Sequence, residues 1–315
     1  MQILAALVFG YFALLGRLEA ALFPATAPTL VQRPISSVVA RALATATDPR
    51  VMEAPGAEHV VPVRVVTRGG RVVSIPSGCG SLSRPYDLLI HFHGAPTAVE
   101  PAFERAELDA VLVITNLGIG SGPYEDAFAA KGSFQDFLKR VNSVVTGLCP
   151  GKNPRIGRIA VSSWSAGYGA VWRILEREAN SDAIDAVLLA DGLHAGFTGT
   201  GSGRQVNDLQ MAPFSMFLER AKAGQKLMAI THSSIPTAHY ASTTQTANFL
   251  LDSSEVRRNQ VRVEGPMRDM WMTSRADYGS LHIQGYAGQD KTAHCDQLFA
   301  IGETLFPLLA ERWRR

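Results

Sequence analysis

The residues able to do chemistry gather around one stretch, "RIAVSSWSAGYGAVWRILE" at 158–176. An apolar run passes into Ser163-Trp164-Ser165-Ala166-Gly167 and then continues at helical spacing. The plain reading is a tight strand-to-helix turn. The chemical reading makes Ser165 a nucleophile, and a serine hydroxyl is reactive only with an adjacent base that a third group orients. Candidate partners follow other apolar runs. His93-Gly94-Ala95-Pro96 comes after 87–92, and "NLGIGSGPYEDAF" begins at 116. Asp191-Gly192-Leu193-His194 comes after 185–190, His232-Ser233-Ser234 after 227–231, and "GQDKTAHCD" begins at 288. Ligands of open α/β sheets sit outside the carboxyl ends of the strands. Reactive side chains at so many run ends therefore point to an active site.

The elements that must position these residues alternate along the chain. "HVVPVRVVT", Arg-Gly-Gly and "RVVSIP" read as a hairpin of two β-branched runs around a glycine turn. Apolar strands are expected at 87–92, 110–116, 158–163, 183–191 and 226–232. Helical spacing is expected in "AVEPAFERAELD", at 133–148, after Gly167, in "QMAPFSMFLERAKAG" closing on Gly224, and in "TTQTANFLLDS". "VRVEG" reads as a short strand. "DMWMTSRADYGSLHIQGYAG" reads as a hairpin around Asp277-Tyr278-Gly279, and the closing helix as bent or broken near Pro307. An initial hairpin followed by alternating strands and helices argues for an α/β domain, with a mostly parallel sheet and helices on both faces.

With these residues in place, the chain resembles the α/β-hydrolase superfamily over roughly residues 58–315. That family's nucleophile turn is Gly-x-Ser-x-Gly between a strand and a helix. Here the second glycine is kept as Gly167, and Ser163, itself small, takes the first position. "LLIHFHGAP" is similar to the family's His-Gly turn. The resemblance implies an oxyanion hole made by the backbone N–H groups of Ala95 and Ala166. It implies a base in the loop before the C-terminal helix, where His294 stands. His194, His232 and His239 are rivals for that role, and His282 reads as a packed strand histidine. The acid that orients the base has the role of holding its tautomer and stabilising the imidazolium. The order Ser165, Asp191, His294 keeps the family's chain order; Asp290 and Asp252 are the alternatives.

Composition bounds the rest. The 315 residues are 46% hydrophobic and 18% charged with a net charge of +2, enough for one large core and without the basic blocks that nucleic acid or anionic membranes require. "MQILAALVFGYFALLG" followed by "RLEAALFP" reads as a secretory signal over 1–20 with cleavage near Ala20; an uncleaved anchor is the rival. Residues 21–57 read as a linker or irregular arm, and 58–315 as a single catalytic domain. The expected location is secreted or periplasmic. In an exported protein, three cysteines give one disulfide and one free thiol. Cys79 and Cys149 each precede a predicted strand and are the first choice of pair; Cys295 is then free, and two other pairings are open.

The expected reaction is acyl transfer to water by a serine hydrolase, an esterase by family breadth, with a peptidase or amidase as alternative. No cofactor is called for, and no glycine loop precedes a Lys-Ser/Thr pair. Two further readings are a secreted binding protein on a hydrolase scaffold, and a metal-dependent hydrolase using the His91-x-His93 pair. No companion ligand follows that pair closely, so no metal is expected. The Gly-rich segment 194–214 is too short and polar for a large helical lid, so an open or loop-covered site is expected. Tyr124, Glu125 and Asp126 are expected to line one wall, hinting at a small polar or carbohydrate-linked ester.

Overall fold

A computed structural model describes residues 62–314, apart from 69 and 84. The expected signal segment, the whole of the 21–57 arm and the start of the 58–315 domain fall outside the described residues.

The predicted hairpin is formed by β1 (Val63–Val66) and β2 (Val72–Ile75), paired antiparallel. Then come β3 (Tyr86–Phe92), β4 (Val111–Thr115), β5 (Ile156–Trp164), β6 (Ala186–Ala190), the short β7 (Phe197–Thr198) and β8 (Gln205–Val206), and β9 (Leu227–His232). β10 (Asn259–Glu264), β11 (Trp271–Tyr278) and β12 (Leu281–Tyr286) follow. Ten of these strands form one sheet in the order β1-β2-β4-β3-β5-β6-β9-β12-β11-β10. The middle, from β4 through β12, is parallel, and an antiparallel hairpin extends each edge. This is the α/β-hydrolase-like architecture expected: a mostly parallel sheet between helices, with an N-terminal hairpin.

The helices are α1 (Pro96–Arg105), α2 (Gly122–Ala129), α3 (Ser133–Leu148), α4 (Tyr168–Leu175), α5 (Glu178–Ala183), α6 (Asp208–Lys222) and α7 (Thr243–Ser253). Three short ones close the chain: α8 (Lys291–Phe299), α9 (Ile301–Thr304) and α10 (Phe306–Arg314). Alternate residues of each central strand go to opposite faces. Leu88, Ile90 and Phe92 meet α2, α3, α4, α6 and α7 on one side. Leu89, Leu112 and Ala160 meet α1, α8, α9 and α10 on the other. Both faces are thus covered, which is why the strands read as continuous apolar runs.

Helix ends follow local chemistry. The Asn207 side chain accepts from the Leu209 and Gln210 N–H groups at the start of α6, and Ser242 with Gln245 forms a capping box on α7. Three expectations shift. The helix expected from 98 starts at Pro96, because proline suits the first turn. The break expected near Pro307 falls before it, at Ala300 and Leu305, with Pro307 in the first turn of α10. The stretch that carries Tyr124, Glu125 and Asp126, for which no helix was expected, is helical over Gly122–Ala129. The Cys79–Cys149 disulfide joins the turn after β2 to the end of α3, with Cα atoms 5.5 Å apart, and Cys295 is free. No helix among the described residues is long and apolar enough to cross a membrane.

Candidate active site

β5 ends at Trp164, and Ser165 opens a short 3-10 turn, Ser165–Gly167, that runs into α4. Ser165 has φ +48°, a left-handed conformation that L residues seldom adopt. The turn is tight because its neighbours press on it. A Cβ at Gly167 would lie 2.2 Å from the Phe92 carbonyl oxygen, and one at Gly192 would lie 2.4 Å from the Ser165 carbonyl oxygen. Ser163, in the place of the family's first glycine, lies inside β5 opposite Phe92 and Leu189. The close approaches fall on Gly167 and Gly192 instead, which explains why a serine is accommodated at 163.

The turn after β6 carries Asp191, also at positive φ (+40°) and only 1% exposed. His294 comes from the first turn of α8, and its Nδ1 donates to Asp191 Oδ2 over 2.7 Å. The other carboxylate oxygen, Oδ1, accepts from the Ser233 N–H at 2.8 Å and the Thr243 hydroxyl at 2.7 Å. Burial by itself would raise the Asp191 carboxyl. The hydrogen bond and charge of His294, with the Ser233 and Thr243 donors, outweigh it and hold the group at about 2. Asp191 is therefore a carboxylate at neutral pH, and it accepts the Nδ1 proton of His294, so that Nε2 is the ring nitrogen outside this hydrogen bond.

The His294 ring is also held from its other side. Trp164 Nε1 donates to the His294 carbonyl at 3.0 Å, and the two rings lie 4.7 Å apart with 30° between planes. His93 stacks on the same indole, 5.2 Å away and 11° from parallel. His93, at φ +64°, places its Nδ1 2.8 Å from the Tyr124 hydroxyl, which itself accepts from the Leu117 N–H. Burial, then the charge of His294, lowers His93 to about 4. It props the His-Gly loop.

The His-Gly turn is built in the same manner. Asn116 Oδ1 accepts from the Gly94 N–H and its Nδ2 donates to the Gly94 carbonyl, both at 2.9 Å. Both backbone groups of Gly94 are thus used within the turn. The neighbouring Ala95 is exposed, in extended conformation, at the N-terminal end of α1. Ala166 follows Ser165 and is 6% exposed. His91 is fully buried, its Nε2 donating to the His93 carbonyl and its Nδ1 accepting from the Ser162 hydroxyl, both at 3.0 Å. Burial lowers it to about 3. With both nitrogens occupied, His91 has no free lone pair, which counts against the rival His91-x-His93 ligand pair.

The remaining candidates are placed elsewhere. Asp290 caps α8, accepting from the Ala293 N–H, and Asp252 is exposed near the end of α7. His282 lies on β12 as expected but pairs with Asp277 across the hairpin at 2.7 Å instead of packing inward. His232 is buried behind the Asp191 turn, its Nδ1 on the Ser233 carbonyl. Tyr124 is fully buried, so the expectation that it lines a substrate wall is overturned; it packs on the core and holds His93. The supporting hydrogen bonds of Asn116, Ser233 and Thr243 were not expected. Their only trace in the sequence is that Asn116 and Ser233 each follow the end of a strand. A separate cavity of about 410 Å³ lies at the opposite end of the strands, lined by Tyr86, Asp87, Asp109, Arg158 and Trp313.

No family model and no curated protein matches the chain. Solved structures similar to it include Est1E from Butyrivibrio proteoclasticus, at 10% identity over 81% of this chain and 99% of that one, with a TM-score of 0.43. The siderophore hydrolase EstA from Aspergillus nidulans is similar at 12% identity over 83% of this chain and 97% of that one, with a TM-score of 0.41. An acetyl xylan esterase from Aspergillus awamori is similar at 12% identity over 76% and 98%, with a TM-score of 0.37.

Proposed function

We propose that the protein is a serine hydrolase acting on carboxylic esters, with Ser165 as nucleophile, His294 as general base and Asp191 as the acid that orients it. The observation that carries this reading is the 2.7 Å hydrogen bond from His294 to Asp191, made from a turn whose next residue, Gly192, lies against the Ser165 backbone. In this reading Ser165 Oγ attacks the ester carbonyl carbon while His294 Nε2 takes its proton. The carbonyl oxygen becomes an oxyanion facing the N–H groups of Ala95 and Ala166; such donors are worth about 3–4 kcal/mol each. The tetrahedral intermediate collapses, the alcohol leaves with the proton from His294, and an acyl-Ser165 remains. Water, deprotonated by His294, then attacks the acyl carbon; the bond from that carbon to Ser165 Oγ breaks, Oγ takes the proton back from His294, and the acid is released. Asp191 stays ionised throughout and stabilises the imidazolium.

Export as a secreted or periplasmic protein fits this reading. The Cys79–Cys149 disulfide suits an oxidising compartment. A small-molecule or carbohydrate-linked ester is the proposed substrate class. The test is labelling with a fluorophosphonate. Wild type is expected to be modified, and Ser165→Ala is not; equal labelling of both, or of neither, ends the nucleophile assignment. Activity unaffected by chelators is the accompanying expectation.

A further inference from the structure

Beside the triad proposed above stands a polar group that its chemistry does not use. His194 lies three residues after Asp191, and its Nδ1 sits 3.1 Å from the Ala241 carbonyl. A carbonyl only accepts, so Nδ1 carries the proton and Nε2 presents a lone pair. Nε2 makes no hydrogen bond among the described residues, and His194 is partly exposed. Two tyrosines wall the ring. Tyr168, in the first turn after Ser165, meets it edge-on at 5.6 Å and 73°, and Tyr240 meets it at 5.0 Å and 89°. All three rings are partly exposed.

We infer that His194 is a specificity-determining residue: its Nε2, between Tyr168 and Tyr240, accepts a hydrogen bond from a hydroxyl of the substrate, so the site takes polyol or sugar esters in preference to plain alkyl esters. The inference rests on the serine hydrolase reading and names the substrate class of that site. An accepting nitrogen between aromatic rings matches a group with an O–H at its tip and C–H on its flanks. A substrate that leaves this acceptor unpaired forfeits the water it displaces. Burial lowers the protonation of His194, and the charge of His294 adds to the effect against the pull of the Ala241 carbonyl and Asp191. The ring is therefore a neutral acceptor in the working enzyme, and the same surroundings disfavour an ammonium group there.

The experiment compares glyceryl acetate with ethyl acetate, which share the acyl group and differ in the hydroxyls. In wild type, kcat/KM for the glyceryl ester is expected to exceed that for the ethyl ester by about tenfold or more. His194→Phe keeps a ring and removes the acceptor, and is expected to cut that ratio about tenfold. His194→Gln keeps an acceptor and is expected to recover part of it. Circular dichroism and the thermal midpoint show whether each variant is folded, and His194→Gln keeps the test open if His194→Phe is not. Fluorophosphonate labelling of wild type separates the two levels of the argument. An unlabelled wild type overturns the hydrolase reading and this inference with it. A labelled enzyme that hydrolyses neither ester, or whose ratio is the same in wild type and both variants, overturns the His194 inference alone.

Discussion

Gly192 and Ser165 are in backbone contact: a Cβ at 192 would stand 2.7 Å from the Ser165 nitrogen as well as 2.4 Å from its carbonyl oxygen. The turn bearing the proposed acid and the turn bearing the proposed nucleophile are thus held against one another without any side chain between them. Gly192→Ala must push them apart. A displacement of about 1 Å can cost 10²-fold in rate, so kcat/KM is expected to fall about a hundredfold or more while KM moves little. An alanine variant with wild-type fluorophosphonate labelling and turnover would show that the contact is not needed.

Asp191→Asn separates the three carboxylates that the sequence offers. In a Ser-His-Asp arrangement this change lowers kcat by about 10⁴, through the wrong histidine tautomer. Asp252→Asn, at an exposed position, is expected to leave kcat within about twofold. Asp290→Ala removes a helix cap and is expected to cost about 1 kcal/mol of stability, with little change in kcat at temperatures well below the melting point. If Asp290→Ala rather than Asp191→Asn abolishes turnover, the acid has been misassigned.

Trp164 holds His294, the proposed base, by its ring and by its N–H. Trp164→Phe keeps a ring beside His294 and loses the donor to the His294 carbonyl, at a cost of about 1 kcal/mol. Trp164→Leu loses the stacking as well. The expected order of kcat is wild type, then Phe, then Leu, read by steady-state kinetics with pre-steady-state acylation as the more direct measure. Equal kcat in all three would assign Trp164 to packing alone.

The fold was legible in the sequence wherever the signal was local. Apolar runs such as Val111–Thr115 and Ala186–Ala190 are strands because both faces are covered, and their residues say so without reference to anything distant. The 16-residue α3 has the boundaries its apolar spacing predicts. What was not legible depends on contacts far along the chain. Tyr124 reads as a loop aromatic until α2 turns it onto His93, 31 residues away. Thr243 looks like an ordinary first-turn threonine until the sheet brings it to Asp191, 52 residues away. Ser165, Asp191 and His294 were nameable because each follows a strand end, where topology limits the choices. Their supporting donors Ser233 and Thr243 contribute a backbone N–H and an ordinary hydroxyl, which no residue type in the sequence marks out.

The disulfide closes a segment of 70 residues, a loop whose entropy in the unfolded chain corresponds to about 4 kcal/mol. Reduction, or the paired Cys79→Ser and Cys149→Ser substitutions, is expected to lower the thermal midpoint by several degrees. Because Cys79 and Cys149 lie near β2 and the end of α3, away from the turns of the site, kcat at low temperature is expected to persist. A midpoint insensitive to reductant would mean that the bond contributes nothing to stability.

Acid should destabilise the protein in a defined window. Burial holds His91 at about 3 and His232 at about 4, and burial with the charge of His294 holds His93 at about 4, all below the ordinary 6.5. The unfolded chain takes up these protons first, so between pH 6.5 and pH 4 it binds more protons than the native state. Stability then rises with pH across this window and is lost on acidification, each such histidine adding about 1.4 kcal/mol per pH unit. Asp191, held at about 2, acts lower: its contribution is present above 3.8 and is lost as the pH falls towards 2. Thermal melts from pH 7 to pH 4 read the first effect directly, and a flat midpoint across that range would contradict it.

His93, Ser165 and Asp191 share one further property, a left-handed backbone at the end of a strand, reached without glycine. Such a conformation costs an L residue roughly 1–2 kcal/mol. This end of the sheet is therefore kept in tension by the rest of the molecule, and the proposed nucleophile is among its least comfortable residues. Replacing Ser165 by glycine should remove the proposed nucleophile and raise the melting temperature together. The glycine variant would be the more durable protein, and the difference between the two is what the fold gives up to keep a hydroxyl in that position.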